Sequence, residues 1–235
     1  MPKKYVNAIE VKNLTKEYND GKNVTKVLKG IDLEVKDGEF VAIVGRSGAG
    51  KSTLLYQLGL LDKPTGGEIK LIGKDVSHLS EKTKSEFRLN ELGYVFQDYA
   101  LLPELTAQEN IALPIMMQGK SKAEALLMAS VVLEKVGMKD KGRNLPNELS
   151  GGQQQRVSVA RAVAHNPHIL FADEPTANLD SVSGEQVVKL FKELNKAGQT
   201  IVMVTHEEEY AQMADRIIEL SDGLISKIHH PEDFK

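Results

Sequence analysis

The order of apolar and polar positions divides the chain into short strands and amphipathic helices. Tyr5 to Glu17 runs in near-alternation through Val6, Ala8, Ile9, Val11 and Leu14, as a half-buried strand does. A turn at Asn19-Asp20-Gly21-Lys22 precedes a second strand pattern over Val24 to Val35, carried by Val27, Leu28, Ile31, Leu33 and Val35. After Asp37-Gly38, the unbroken apolar run Phe40 to Val44 predicts a buried strand, and Leu54, Leu55, Leu58 and Leu61 then recur at helical spacing. Further strands are expected over Glu68 to Ile72, Leu92 to Phe96, Ile169 to Ala172 and Thr200 to Val204. A hairpin across Asp222-Gly223 joins Ile217–Leu220 to Leu224–Ile228. Helices are expected over Ser80 to Asn90, Ala107 to Met117, Ser121 to Val136, Ser150 to Ala164, Val187 to Leu194 and Glu207 to Met213.

Strands alternating with helices predict an α/β domain with a mainly parallel sheet and helices on both faces. The beginning reads as antiparallel β structure. Residues 98–149 read as a helical insert, with no repeat or linker dividing the chain into separate domains. The expected organisation is one domain, 1–235, in which 1–97 and 150–235 form the β subdomain and nucleotide-binding core.

Between the strand at Phe40 and the helix at Leu54 lies Gly45-Arg46-Ser47-Gly48-Ala49-Gly50-Lys51-Ser52, followed by Thr53. This is the spacing of a phosphate-binding loop in the strand–loop–helix context the chemistry needs. Glycines let backbone N–H groups turn inward around an anion, and the helix N-terminus adds partial positive charge. Lys51 is placed to reach outer phosphates and Ser52 to ligate Mg²⁺. A second signal sits at the end of the apolar strand Ile169–Ala172, where Asp173 and Glu174 follow at the sheet edge that binds ligands in α/β folds. Asp173 suits the Mg²⁺ shell, and Glu174 suits accepting a proton from an attacking water. A third is Leu149-Ser150-Gly151-Gly152-Gln153, a serine-capped, glycine-rich helix start that offers N–H groups and a hydroxyl to an anion.

Composition narrows the partners. Thirty Lys and Arg against thirty-three Asp and Glu leave a net charge of −3, so no overall field favours nucleic acid. The absence of cysteine excludes disulfides and thiolate metal sites. The longest apolar stretches, such as Ile111 to Met117, fall far short of the roughly 20 residues of a spanning helix. The expectation is a soluble, cytosolic chain that meets a membrane only through a partner.

The phosphate loop, Gln97 after a strand, Leu149 to Gln153, Asp173-Glu174-Pro175, Ala177-Asn178-Leu179-Asp180 and Thr205-His206 closely resemble, in order and approximate spacing, the ATPase subunit of an ABC transporter. The resemblance covers essentially the whole chain and implies a P-loop NTPase (RecA-like) core. It implies that Tyr18 stacks on adenine, with Val27 lining the same side. Gln97 would contact Mg²⁺ or the attacking water, Asp180 would communicate across a dimer, and His206 would hold the γ-phosphate and water in line. Ser150 and Gly152 would act in trans, on the ATP held by a second copy in a head-to-tail dimer. Ala177 stands where glycine or serine is more frequent, which leaves the mechanism intact.

The stretch Tyr99 to Asn110, the three glutamines within Leu149 to Arg156, and Asp173 to Asp180 resemble the lipoprotein-releasing and macrolide-export branch. That branch pairs its ATPase with an integral membrane permease, which implies a peripheral position on the inner face of the cell membrane. A soluble or division-linked ABC ATPase that does not transport is the alternative. Met116 and Met117 read most simply as packing residues, although the insert is where such a subunit meets its membrane partner.

Overall fold

The computed structural model describes residues 5–234, so the first four residues and the last of the expected domain lie outside the described residues. β1 (Asn7–Asn19) and β2 (Val24–Lys36) pair antiparallel, and β3 (Phe40–Val44) runs through the glycine loop into α1 (Lys51–Leu58). β4 (Gly66–Leu71) joins the free edge of β1, followed by a two-residue β5 (Lys74–Asp75), too short for periodicity to reveal. Next come α2 (Glu81–Glu91), β6 (Leu92–Val95), α3 (Ala107–Met117), α4 (Lys122–Lys135), α5 (Gly151–Val163) and β7 (Ile169–Asp173). The chain continues with α6 (Ser181–Lys196), β8 (Thr200–Val204), α7 (Glu208–Ala211), β9 (Arg216–Ser221) and β10 (Leu224–His229).

The strands form a four-stranded antiparallel sheet ordered β2-β1-β4-β5 and a six-stranded sheet ordered β10-β9-β3-β8-β7-β6. In the larger sheet β3, β6, β7, β8 and β9 are parallel, and only β10 runs against its neighbour. Because strand side chains alternate between faces, this sheet feeds two cores. Phe40, Ala42, Val44, Leu170, Ala172, Ile201 and Met203 pack with Ile111, Ile115, Val157, Ala160, Val187 and Phe191 of the helices. Val41, Ile43, Ile169, Phe171, Val202 and Val204 face Leu54, Leu55 and Leu58 of α1 and the apolar side of β1 and β2. Helices cover both faces as expected, but the antiparallel sheet shares the second.

Parallel register sets up the site. Ile43 lies beside Val204, and Val204 beside Asp173, so the segments leaving β3, β8 and β7 emerge next to one another at one edge. Helix starts are set by side chains: Ser80, Thr106, Ser121, Ser150 and Asp180 each accept the backbone N–H three residues on. The Asp180 cap begins α6 six residues before the expected Val187. Residues 181–186 carry one large apolar side chain, Val182, and it is exposed. α7 is shorter than expected, covering Glu208–Ala211 rather than Glu207 to Met213.

Met116 and Met117 are not packing residues. They are 37% and 64% exposed, at the end of α3 where the helix has passed its last buried contact, Ile115.

Candidate functional site

Gly45 has φ 146°, and a Cβ there would sit 2.2 Å from the Leu220 carbonyl oxygen, so only glycine permits the loop to pass β9 this closely. The loop is backed by β-structure: the Gly223 N–H donates to the Ala49 carbonyl at 3.2 Å, and the Lys29 N–H to the Gly223 carbonyl at 2.9 Å. Arg46, Ser47 and Gly48 are exposed at its rim, whereas Ala49, Gly50 and Lys51 are buried. Gly50, at φ 99°, is the residue from which α1 starts.

The Lys51 ammonium donates to the carbonyl oxygens of Gly45 (2.8 Å) and Arg46 (3.2 Å). An ammonium has three donors, so one remains to meet an anion. The Ser52 hydroxyl donates to Asp173 Oδ1 at 3.0 Å, bringing two hard oxygen ligands from residues 121 apart in sequence to one point. Glu174 has φ 46°, a left-handed conformation uncommon for a residue with a side chain, and its N–H donates to the Val204 carbonyl at 3.0 Å. Its carboxylate accepts from His206 Nδ1 at 2.8 Å and from the His206 backbone N–H at 3.3 Å. Thr176 Oγ1 donates to Glu207 Oε1 at 2.5 Å, tying the segment after β7 to the one after β8.

Val27, Ser47, Gly48, Gly50, Lys51, Ser52, Thr53, Gln97, Glu174 and His206 surround an open cleft of about 720 Å³, a size suited to a small ligand. On the far side of Gln97 lies a polar hollow of about 330 Å³ bounded by Tyr56, Phe96, Asp98, Asp173 and Asn178. Burial, reinforced by hydrogen bonding to Asp173, pushes the Tyr56 phenol up to about 12. Gln97 borders both cleft and hollow, and Asp173 of the hollow is linked to the cleft through its bond with Ser52.

The remaining expected residues lie elsewhere. None of Ser150, Gly151, Gly152 and Gln153 borders the cleft. Ser150 Oγ accepts from the Gln153 N–H at 3.3 Å, and Gln153 Oε1 accepts from the Ser150 N–H at 3.0 Å, a reciprocal capping box. The hydroxyl proton of Ser150 remains available to donate. Gly152 is buried, and a Cβ there would sit 2.7 Å from the Ser183 side chain, so packing alone already requires glycine. Asp180 accepts from the Ser183 N–H and hydroxyl at 3.0 and 2.8 Å, and these bonds hold its carboxyl below the usual carboxylate range. Tyr18, 46% exposed at the end of β1, stands outside the ring of cleft residues.

Several neighbours of the site make contacts to which the sequence assigns no residue. Gln155 is fully buried, and its amide donates to the Pro175 carbonyl at 2.7 Å and the Phe96 carbonyl at 3.4 Å. One side chain of α5 therefore touches the residue after Glu174 and the residue before Gln97. Arg161 of the same helix donates to the Ala100 carbonyl and, at 3.0 Å, to that of Tyr99, two consecutive residues with positive φ. Asn178 Nδ2 donates to the Gln97 carbonyl at 3.0 Å. The glutamine run around Gln155 was visible in sequence, but nothing there marks which of its members points inward.

Comparison with known proteins agrees with this geometry. The family profile described as "ABC transporter" matches residues 28–177. The chain is 52% identical over 200 residues to the "Lipoprotein-releasing system ATP-binding protein LolD" of Aquifex aeolicus, covering 85% of this chain and 89% of that one. It is 48% identical over 220 residues to the "Macrolide export ATP-binding/permease protein MacB" of Mannheimia succiniciproducens, covering 94% of this chain but only 34% of that protein. The chain thus spans about a third of the length of the macrolide-export relatives it matches. Among solved structures it superposes with TM-score 0.89 and 41% identity on the dimeric post-hydrolysis state of the ATP-binding cassette MJ0796 bound to ADP and Pi, covering 95% and 98% of the two chains. With the profile matching residues 28–177 and relatives at about half identity over nearly the whole chain, the chain that carries this glycine cradle, serine–aspartate pair and glutamate–histidine pair belongs to the ATP-binding family of the ABC transporters, in its lipoprotein-releasing and macrolide-export branch.

Proposed function

We propose that the chain is the ATP-hydrolysing subunit of an ABC transporter, that two copies close head to tail around two ATP molecules, and that the cycle drives a separate membrane permease in export or mechanotransmission. The observation that carries this reading is the separation of the two phosphate-binding features. Lys51 and Ser52 border the cleft, while Ser150 caps its own helix outside it with a hydroxyl proton to spare. A second copy supplying its Ser150 and the start of α5 completes the shell around the outer phosphate. The MJ0796 cassette is described as a dimer bound to ADP and Pi, which favours the same arrangement here.

Within the cleft, the loop N–H groups from Gly45 to Thr53 and the free N–H of Lys51 hold the phosphates. The adenine lies toward Val27 and Tyr18. Ser52, Asp173 and Gln97 present only oxygen ligands, which suits Mg²⁺. Held by these residues, Mg²⁺ would supply charge neutralisation at the outer phosphates. Glu174 takes the proton of a water whose oxygen bonds to the γ-phosphorus as the bond to the bridging oxygen breaks and ADP leaves. His206 Nδ1 holds the Glu174 carboxylate in place at 2.8 Å until the substrate engages it.

No helix among the described residues is long and apolar enough to cross a membrane. The macrolide-export relatives are named as ATP-binding/permease proteins, whereas the lipoprotein-releasing ones are named as ATP-binding proteins of nearly this length. On the reading proposed, the chain works from the cytoplasmic face of a membrane and drives a permease there. Sedimentation of Glu174→Gln with Mg-ATP and with Mg-ADP tests the dimer: a dimer with ATP and a monomer with ADP is expected, and a monomer with both overturns it. Recovery of a membrane protein on affinity purification from detergent-solubilised membranes tests the coupling. Its absence favours the non-transporting alternative.

A further inference from the structure

Tyr18 is held from two sides by residues that no phosphate-loop or catalytic motif contains. Its hydroxyl donates to Asp62 Oδ2 at 2.9 Å. Asp62 Oδ1 accepts at 2.7 Å from the Lys16 ammonium, which also donates at 2.7 Å to the Lys63 carbonyl. The same ammonium sits 4.7 Å from the centre of the Tyr18 ring, within cation–π range. Lys16 is 8% exposed, so this cation is withdrawn from water and committed to the ring and the two oxygens.

The platform is anchored by backbone as well. The Glu17 N–H donates to Thr65 Oγ1 at 2.9 Å, and the Thr65 N–H to the Thr15 carbonyl at 2.9 Å. The end of β1 that carries Tyr18 is therefore bonded to residues 62–65, the segment that follows α1. The Asp62 N–H donates to the Tyr56 carbonyl of α1 at 3.2 Å, so hydrogen bonds tie the ring to the helix that begins with Lys51 and Ser52. Lys16 occupies one face of the ring and leaves the other for a ligand.

We infer that Lys16 and Asp62 are positioning residues for the nucleobase: they present one face of Tyr18 at a fixed place relative to the phosphate loop, so that the base is bound by a preordered aromatic surface. This rests on the proposed role of Tyr18 at the base. A preordered ring loses little freedom on stacking, which favours affinity, whereas a phenol released from Asp62 must be ordered by the ligand. Lys16 adds polarisation, since a cation behind the ring draws electron density away from the face offered to the base.

The test compares Mg-ATP with magnesium tripolyphosphate, which has the phosphates and no base. For the full chain, KM and kcat for ATP and the inhibition constant of tripolyphosphate are measured in Tyr18→Ala, Lys16→Met, Asp62→Asn and Lys16→Arg. Lys16→Met and Asp62→Asn are expected to raise KM for ATP about three- to tenfold, as befits the loss of one stacking-scale contact, with kcat and tripolyphosphate inhibition unchanged. Lys16→Arg keeps a cation over the ring and should hold KM within about twofold. It also reports should Lys16→Met fail to fold. If Tyr18→Ala raises KM while Lys16→Met and Asp62→Asn do not, the positioning role is overturned and base stacking survives. If Tyr18→Ala leaves KM unchanged, the stacking role falls and takes the inference with it. Equal weakening of ATP and tripolyphosphate assigns Lys16 and Asp62 to general support of the fold, which also overturns it.

Discussion

The edge of the central sheet and the start of α5 are both glycine-rich helix openings with donors suited to an anion, yet they are built differently. At the sheet edge, Lys51, Ser52, Glu174 and His206 line a cleft with Asp173 behind Ser52, and each of these side chains has a partner inside the chain and capacity left over. At α5, Ser150 and Gln153 satisfy each other away from that cleft, and Gly152 is accounted for by packing on Ser183. The first region reads as an enzyme site lacking a wall. The second reads as the wall, detached.

The largest effect should come from breaking the chemistry of the first region alone. Glu174→Gln keeps the shape of the cleft and removes the proposed base, so single-turnover hydrolysis should fall at least about 100-fold while nucleotide affinity is retained. The second region is separated from helix capping by Ser150→Asp. Aspartate caps a helix as well as serine does, so the thermal midpoint should stay within about 2 °C. Its charge opposes a partner's outer phosphate, so steady-state ATPase should drop about 100-fold. Retained activity would detach Ser150 from the ATP site.

A smaller effect is expected where the two regions connect. Gln155 ties α5 to the carbonyls of Phe96 and Pro175, beside Gln97 and Glu174. Gln155→Met keeps the volume and loses both bonds, so kcat should fall about tenfold at unchanged KM. An equal loss in kcat when Gln97 is already alanine would show that the two residues act independently. The smallest concerns stability away from the site. Burial pushes the His165 imidazole below its ordinary range, with Nε2 against the Leu92 carbonyl. The unfolded chain therefore binds the proton more readily than the folded one, so stability is fully present above the ordinary histidine pKa and declines as pH falls below it. Urea midpoints between pH 5 and 7 should show this slope, and His165→Asn should flatten it.

Much of this was legible in the sequence because it is local. Apolar runs place β3, β7 and β8 within a residue or so, and the serine caps of α2 and α5 follow from neighbours three residues apart. The phosphate loop and the Asp173-Glu174 pair were legible for the same reason. What the sequence hid is mostly long-range. Gln155 reaching Pro175 and Lys16 reaching Asp62 are pairings 20 and 46 residues apart, whereas the Asp180 cap of α6 is local, three residues from Ser183, but hidden because no large apolar side chain is buried in that helix before Val187. The two methionines at the end of α3 were misread because helical periodicity does not say where a helix leaves its neighbours.

The central claim is that the cleft is half of a site, and it is tested most directly by the dependence of ATPase activity on protein concentration at saturating Mg-ATP. The account predicts specific activity that rises with concentration from a negligible value and levels off as the dimer becomes the dominant species. Specific activity that stays constant on dilution to the lowest measurable concentration, while sedimentation there shows a monomer, would contradict it.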